Sequence, residues 1–415
     1  MAIDTDKEIL EHFNERVDAS EYSGWDFWRQ HEVRDGFRFF YGLDQWEEHV
    51  RRELEKRGLK AITMNRCPPF INAVQGTIIN LNGNPHYYPT GGDFSDEYAS
   101  IANELSMWAR SQANADYYDK DVLKDALICG LGTVEMRVDY DSNPDGEPRY
   151  ERVPPLEMMW DPDAKGPNLS DGDFSIRART MTKRQFRQMF PDAESPEGVD
   201  VRFTFSERTS DDDRFESRFN VGPKSPVRSG QAMVFDYQWK GQERYRRVEN
   251  PLAAEDSQLM FAMSSNPAIE QFVAASLQRF GLSPADSTWS VEVDVYKEMS
   301  ELFQGIAELK SQAATRDAYY KAIISKNHVI EKGPGPFKNG FSRKHVVAFY
   351  DDEKQCPYGY MRMIKDPQRV ANASFMHIFD AVLSAPKPKV LAETTAVESR
   401  EEFEQQIATN ASTAW

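Results

Sequence analysis

The chain has 415 residues and a mass of 47.7 kDa, enough for two or three domains of about 150 residues each. Hydrophobic residues make up 40% and charged residues 28%, and the mean hydropathy is -0.67, which is typical of a globular protein with a well-hydrated surface. No segment approaches the run of about eighteen apolar residues that a membrane span requires. The net charge of -17 argues against a protein that coats nucleic acid, because such affinity comes from phosphates neutralised by lysine and arginine.

The chain start predicts an intracellular site of synthesis, and the cysteines predict reduced thiols. The first eighteen residues alternate charged with single apolar residues, so they lack the basic start and apolar block of a signal peptide. Cys67, Cys129 and Cys356 lie far apart without a CxxC pair, a pattern that fits reduced, buried thiols better than disulfides or a zinc site.

The first third of the chain predicts mainly helices. Residues 21–60 are rich in aromatic residues, which we expect to pack inward from a helix. Pro68 and Pro69 open a second predicted helix. Between residues 97 and 128 the apolar residues recur every three or four positions, as in one long amphipathic helix or two, and Gly130 is the predicted C-cap. The first members of this apolar stripe are Tyr98, Ile101, Leu105 and Trp108.

Alternating patterns predict strands in the middle of the chain. Residues 133–140 alternate apolar with charged side chains, and a turn of Asp, Asn, Pro and Gly joins them to residues 149–153 as a hairpin. Residues 233–239 form another alternating run. Thr182 and Gln185 have the spacing of a capping box, which predicts a helix that ends before Pro191. Strands and helices without regular βαβ alternation indicate an α+β fold.

The second half predicts a further helix and two helices with narrow apolar stripes. Residues 266–281 carry both start and stop signals. The first stripe has heptad spacing, and a second amphipathic helix is predicted to start at Asp366 and Pro367 and to end before Pro386. The stripe residues are Val295, Met299, Leu302, Ile306 and Leu309 in the first helix, and Phe375, Ile378, Phe379 and Val382 in the second.

No motif in the chain points to catalysis, a metal or a cofactor. There is no GxxxxGK[ST] phosphate loop, no HExxH pair and no GxSxG elbow. We therefore expect no enzyme activity, no catalytic residue and no cofactor. The alternative is a soluble α+β hydrolase or binding protein, which only the aromatic-rich start and the acid-rich loops favour; it would need a closed pocket with convergent polar groups.

One segment is basic in an otherwise acidic chain. Residues 316–345 hold seven lysines or arginines against two acids, a net charge of +5. A solvated surface loop explains this as well as a docking tip for an acidic partner or DNA phosphate does. The seven residues are Arg316, Lys321, Lys326, Lys332, Lys338, Arg343 and Lys344.

Four short blocks of sequence, in this order along the chain, carry a resemblance to a known family. They are Phe40 to Trp46 with Arg57-Gly58, Asn65 and the helix over Ile71 to Gly76; Ala126 to Gly132 before the strand at Val134; Val153-Pro154-Pro155 with Trp160-Asp161-Pro162; and Gly359 to Arg362 with Lys365 to Gln368 and Asn372. Together they resemble the P22-type portal proteins of tailed phages.

The resemblance implies a ring-forming portal fold with an α/β wing, a two-helix stem and a small β-containing clip. The implied domains are a wing at 1–290, a first stem helix at 291–315, a clip at 316–365, a second stem helix at 366–385, and at 386–415 the start of a return segment toward a crown whose remainder we expect to be absent. The basic segment falls in the clip, and the two apolar stripes would pack the stem helices against each other and an adjacent subunit.

The same resemblance implies a function and a set of partners. A ring of twelve copies would sit at one capsid vertex and pass double-stranded DNA inward during packaging and outward during ejection. It would contact a terminase motor, head-completion or tail adaptor proteins, and capsid or scaffolding protein, but no membrane. It would assemble in the host cytoplasm and end in the virion.

Overall fold

A computed structural model describes residues 5–56, 60–81, 86–89, 96–140, 143–191, 193, 231–251, 267–283, 286–303, 309–325 and 328–384. In this part of the chain the α-helices are α1 (Asp6–Ser20), α2 (Asp35–Phe40), α3 (Glu48–Lys56), α4 (Cys67–Leu81), α5 (Asp96–Gln112), α6 (Ala115–Cys129), α7 (Lys183–Met189), α8 (Pro267–Phe280), α9 (Val293–Leu302) and α10 (Tyr360–Ser384). Two π-helical stretches, Glu21–Trp25 and Trp28–Arg34, precede α2.

The strands of the described residues complete a mixed helix and sheet architecture, in agreement with the predicted α+β class. They are β1 (Leu131–Asp139), β2 (Glu147–Val153), β3 (Met158–Trp160), β4 (Phe174–Thr182), β5 (Gln231–Glu249), β6 (Thr288–Glu292), β7 (Ser311–Ser325), β8 (His328–Pro334), β9 (Arg343–Val347), β10 (Phe349–Asp351) and β11 (Cys356–Tyr358).

The chain divides into two compact units. The sheet unit comprises residues 1–20, 157–209 and 223–344, and the helix unit comprises residues 21–156, 210–222 and 345–415. Each unit therefore gathers segments that are far apart in sequence. The wing, stem and clip boundaries implied by the resemblance group the chain differently. They stay predictions, apart from the first stem helix, which is corrected below.

The sheet unit is built on the antiparallel order β3-β4-β5-β7-β8, with β6 pairing β5. The longest pairing joins β5 and β7, from Phe235 opposite Ile324 to Val248 opposite Ser311. Helix α1 buries Ile9, Phe13 and Val17, which lie four residues apart on one helical face. The Phe13 ring lies 5.4 Å from that of Phe235, so α1 covers this face of the sheet.

A second cluster of the sheet unit corrects the first predicted stem helix. Helix α9 ends at Leu302, and the chain from Ser311 is strand β7 paired with β5, so a helix over 291–315 is wrong. The heptad spacing of apolar residues continues past the end of α9 to Leu309, which favoured a longer helix. Such spacing cannot reveal that β7 pairs with a distant strand. Met299 is fully buried in a cluster with Val248 and Trp289. Val295, Leu302 and Leu309 pack against this cluster. Ile306 lies outside the described residues.

The helix unit surrounds α6. Many of the aromatic residues that were expected to face inward do so, and Trp28 and Phe39 are fully buried. Strands β1 and β2 form the predicted hairpin, with Thr133 opposite Val153. The hairpin is buried only in its inner half, since Val134 is buried whereas Val138 is exposed.

Three other local predictions are confirmed. Thr182 and Gln185 form the capping box that starts α7, which ends at Met189 before Pro191. Gly130 ends α6 in the left-handed region with φ of 91°. All three cysteines are free and buried.

Two features of the helices differ from prediction. Helix α10 starts at Tyr360, six residues before the predicted start, and continues through Pro367. Met361 and Gln368 are buried on either side of this proline, and such packing sustains a helix against the cost of about 3 kcal/mol that an interior proline carries. The apolar stripe of α5 is exposed, although amphipathic helices ordinarily bury such a stripe.

A substitution at Met299 tests whether α9 packs into the core of its own chain or contacts another subunit. Replacing Met299 by Ala should lower the free energy of unfolding of the unassembled chain by about 2–5 kcal/mol, because it leaves a cavity in the cluster around Trp289. Glu298→Ala on the exposed side of α9 is the matched control and should change it by about 0.5 kcal/mol or less. Urea unfolding measures both; an unchanged unfolding curve for Met299→Ala with weakened self-association would contradict the core role.

Candidate functional site

Four buried or half-buried amide side chains and one thiol meet where α10 crosses the segment before α4 in the helix unit. Gln45 donates from Nε2 to Asn65 Oδ1 at 2.9 Å, and Asn372 donates from Nδ2 to Gln45 Oε1 at 2.9 Å. Gln368 completes the cluster, since its Nε2 donates to Asn372 Oδ1 at 2.9 Å. We call Gln45, Asn65, Gln368 and Asn372 the amide cluster.

Backbone groups satisfy the remaining hydrogen-bonding capacity of the amide cluster. Gln368 Nε2 also donates to the Met64 carbonyl at 2.8 Å, and its Oε1 accepts from the Arg66 amide at 3.1 Å. The Met64 amide donates to Asn372 Oδ1 at 3.0 Å, and Asn65 Nδ2 donates to the Phe40 carbonyl at 2.8 Å. A buried polar network with each member paired rigidifies its surroundings, because any misplacement leaves a polar group unsatisfied.

Helix geometry explains why α10 can carry this cluster. Met361, Gln368, Asn372 and Met376 are separated by seven, four and four residues, so they lie on one face of the helix and all are buried. Cys67 lies beside the cluster, with its Sγ 3.8 Å from Gln45 Nε2. Burial raises the pKa of this thiol to about 11, so it stays protonated and unreactive at neutral pH.

Two glycines allow the segment before α10 to lie directly on the end of α6. A Cβ on Gly130 would stand about 2.5 Å from the backbone of Tyr358, and one on Gly359 would stand 2.3 Å from the carbonyl oxygen of Ile128. Real Cβ atoms do not approach so closely, so only glycine fits at either position. Trp28 fixes the same place, because its indole donates to the Cys129 carbonyl at 2.8 Å.

Charged residues extend the contacts of α10. Arg362 donates from Nε to Glu32 Oε1 at 2.9 Å, pairs with Asp351 and lies over the Tyr358 ring at 4.3 Å. On α6, Asp125 forms a two-point pair with Arg152 of β2, with Nη2 and Oδ1 2.9 Å apart. Burial raises the pKa of Asp125 to about 6 against the opposing effect of Arg152.

Three of the four sequence blocks that carried the resemblance thus converge in the helix unit. Residues 40–46 with Asn65, residues 126–132, and residues 359–372 contact one another through the amide cluster and the two glycines. The profile of the family described as Phage P22-like portal protein matches residues 18–414. The chain belongs to the P22-like portal protein family.

Members of the P22-like portal protein family are structural components of the phage capsid and not enzymes. No curated protein matches the chain significantly. None of the helices in the described ranges combines the length and apolar character of a membrane span. The described residues contain no group of three or more His, Cys, Asp or Glu that could hold a metal.

The structure describes six of the seven predicted docking cations, and their surroundings differ. Arg343 has a fully buried side chain that donates from Nη2 to Asp236 Oδ1 at 2.9 Å, and Lys321 lies 3.1 Å from the other oxygen of the same carboxylate. Burial opposes ionisation of Asp236, but these two cations hold its pKa well below its usual range. Arg343 is therefore part of the interior of the sheet unit, and Lys321 is a half-buried partner of the same carboxylate.

The remaining described cations are all exposed, and two of them have a carboxylate partner within the sheet unit. Arg316 pairs with Glu243 at 2.8 Å and Lys332 with Asp6 at 2.8 Å, so their charges are offset within the sheet unit. Lys338 and Lys344 are exposed, whereas Lys326 lies outside the described residues. The charge of +5 read from the sequence is thus largely balanced by acids elsewhere in the chain.

The second predicted stem stripe keeps an exposed face. Ile378, Phe379 and Val382 are exposed on α10, while Phe375 is half-buried. The sequence blocks contained the amide-cluster residues, but spacing alone gave no sign that Gln45 and Asn372, more than three hundred residues apart, hydrogen-bond to each other. The signal in the sequence that pointed to these residues was the ordered set of blocks that resembles the portal family.

Asn372 tests the amide cluster. Replacing Asn372 by Ala should lower the free energy of unfolding by about 2–4 kcal/mol, because Gln45, Gln368 and the Met64 amide each lose a buried partner. Ser374→Ala, on the exposed face of the same helix, is the control and should change it by about 0.5 kcal/mol or less. Both are measured by urea unfolding at one protein concentration; equal unfolding midpoints for the two variants would show that the cluster does not hold α10.

Proposed function

We propose that the chain is the subunit of a closed ring at one capsid vertex, through which double-stranded DNA enters during packaging and leaves during ejection. The observation that carries the proposal is the match to the P22-like portal family over residues 18–414. Three of the four resembling blocks also meet within the helix unit. The number of copies we propose is twelve, as the resemblance implies. Ring closure leaves no exposed end, since each subunit uses two different faces toward its neighbours.

The charge distribution supports a channel through which DNA slides. Each neutralised phosphate adds about 0.9 to the salt dependence of binding, so many basic contacts per subunit would retain DNA rather than let it pass. The chain carries -17, and four of its clustered cations are paired with carboxylates of the sheet unit. Among the described residues, these four cations therefore have a carboxylate of the chain itself as partner in place of a DNA phosphate.

The sequence supports a division of labour with other proteins. It carries no phosphate-binding GxxxxGK[ST] loop, so the energy for packaging would come from a separate terminase motor. Head-completion or tail adaptor proteins would replace the motor once the head is full, and capsid or scaffolding protein would hold the ring during assembly in the host cytoplasm. The match to a family of structural proteins favours the ring over the alternative of a hydrolase.

Helix α10 is the best candidate for a stem helix. Its 25 residues span about 37 Å, and its exposed stripe leaves it free to contact another subunit. No stem helix spans 291–315, because α9 ends at Leu302, packs Met299 into a core cluster of the sheet unit, and strand β7 begins at Ser311. For motor or adaptor docking we propose the loop after β8 together with the start of β9, where Lys338 and Lys344 are exposed, and we call this region the docking loop.

Electron microscopy of the purified protein, viewed end-on, tests the ring. We expect annular particles with a central hole wide enough for a DNA duplex. A matched sample at low protein concentration separates slow assembly from failure to assemble. Particles that stay at monomer size at every concentration would overturn the proposal.

Reversing the two exposed lysines tests the docking loop. The double variant Lys338→Glu/Lys344→Glu should weaken capture of the terminase motor of the same phage by about tenfold or more, because two attractive charges become repulsive. Ring formation should be unchanged, since neither lysine is buried. Glu331→Lys, an exposed charge change on β8, is the control. Unchanged motor capture by the double variant would remove the docking assignment and leave the ring intact.

A further inference from the structure

Helix α5 of the helix unit turns small residues toward its own chain and large apolar residues toward solvent, which is the opposite of the usual arrangement. Its half-buried residues include Ala99, Ala102, Ser106 and Ala109, which are small. Its large apolar residues face outward: Tyr98 is 64% exposed, Ile101 54%, Leu105 60% and Trp108 52%. A helix that met only water on this face would carry polar residues there. The outward stripe, which we call the α5 stripe, has the three- and four-residue spacing of a helix-packing seam.

Neighbouring tyrosines enlarge the apolar surface beside the α5 stripe. The side chain of Asn103 accepts from the Tyr87 amide at 2.7 Å and donates to the Tyr87 carbonyl at 3.2 Å, so it fixes residues 86–89 beside α5. Tyr87 and Tyr88 are 51% and 79% exposed. Aromatic side chains bury about 150–250 Å² each, so these residues and the stripe expose on the order of 500 Å² or more. That area is near the roughly 800 Å² that each partner contributes to a stable interface.

Charge around the α5 stripe indicates a protein partner rather than nucleic acid or an anionic membrane. Asp96 and Glu97 lie in the first turn of α5, and Glu104 is exposed next to Leu105. These carboxylates repel phosphates of DNA and of lipid headgroups alike. Tyr and Trp are also the residues that contribute most to protein interfaces.

The exposed face of α10 has the complementary shape. Met363, Val370, Ile378 and Val382 are exposed there. Small exposed residues interrupt them, namely Ala371, Ser374 and Ala381. Small side chains between larger ones leave recesses on a helix surface, and bulky residues of a facing helix fill such recesses. The α5 stripe supplies the bulky residues.

We propose that the α5 stripe of one copy packs against the exposed face of α10 of the next copy around the ring. The inference rests on the proposed ring and names the two surfaces that close it. Both surfaces lie on the helix unit and they differ from each other, as a head-to-tail interface in a closed ring requires. The buried amide cluster on the opposite face of α10 holds that helix in place for the contact.

Cross-linking between two variants, each with one added cysteine, tests this pairing. Leu105→Cys and Ile378→Cys are prepared as separate full-length chains, mixed, assembled and treated with a short bis-maleimide. The native thiols stay silent, since Cys67, Cys129 and Cys356 are each fully buried. We expect a covalent dimer in the mixture at ten times or more the amount formed by either variant alone. Peptide mass spectra should show the two introduced thiols joined to each other.

A second cysteine position provides the matched control. Tyr22 is 94% exposed on the same unit but lies on neither helix, so a mixture of Tyr22→Cys with Ile378→Cys should give only background cross-linking. Equal yields for Tyr22→Cys and Leu105→Cys would overturn the pairing. So would a dimer formed mainly between two Leu105→Cys chains. A further variant with Leu105→Cys and Ile378→Cys in the same chain should cross-link between chains, and a cross-link confined to one chain would also overturn the pairing.

A charge in the α5 stripe gives an independent readout. Leu105→Glu should lower the assembled fraction at least tenfold, whereas Ser100→Glu, exposed on the same helix outside the stripe, should leave it unchanged. Because Leu105 is exposed in the single chain, circular dichroism should show both variants folded. If the unmodified protein and Leu105→Glu assemble equally well, this inference is overturned and the ring stands. If the unmodified protein never assembles, the ring itself is overturned.

Discussion

The position of α10 depends on the buried hydrogen bonds among Gln45, Asn65, Gln368 and Asn372. Amide groups removed from water cost free energy unless each finds a partner, so this cluster is favourable in one arrangement of α10 and unfavourable in any shifted one. Apolar contacts alone would tolerate a small slide or rotation of the helix. The cluster therefore gives a long helix with an exposed apolar face a single orientation, which a repeated contact between identical subunits requires.

Local features of the fold were predictable from the sequence, and features that depend on distant contacts were not. The capping box of Thr182 and Gln185 and the left-handed Gly130 are each encoded within a few residues, and both predictions hold. The helix predicted over 291–315 failed because strand β7 is set by pairing with β5, which lies more than sixty residues away. Proline usually opens helices, which predicts a start of α10 next to Pro367, whereas tertiary contacts sustain this helix through the proline.

The candidate sites also combine features that the local sequence shows with features that depend on distant contacts. The basic segment was visible in the sequence, but its partners Asp6, Asp236 and Glu243 come from other segments, so its net charge overstated what the surface presents. The apolar spacing of α5 was also visible, yet spacing does not tell which side of a helix meets its own chain. In the structure, small residues such as Ala102 face the rest of the chain, and Leu105 faces solvent. Exposed apolar area, acidic surroundings and a rigid α10 are together what the proposed contact between neighbouring subunits requires.

Native mass spectrometry of the purified full-length protein tests the central claim, that the chain acts as a repeated subunit of a closed assembly, most directly. The account predicts one dominant species whose mass is a whole-number multiple of 47.7 kDa, with twelve copies as the expected number, and no ladder of intermediate sizes. A monomer as the dominant species across the accessible range of concentrations would contradict it.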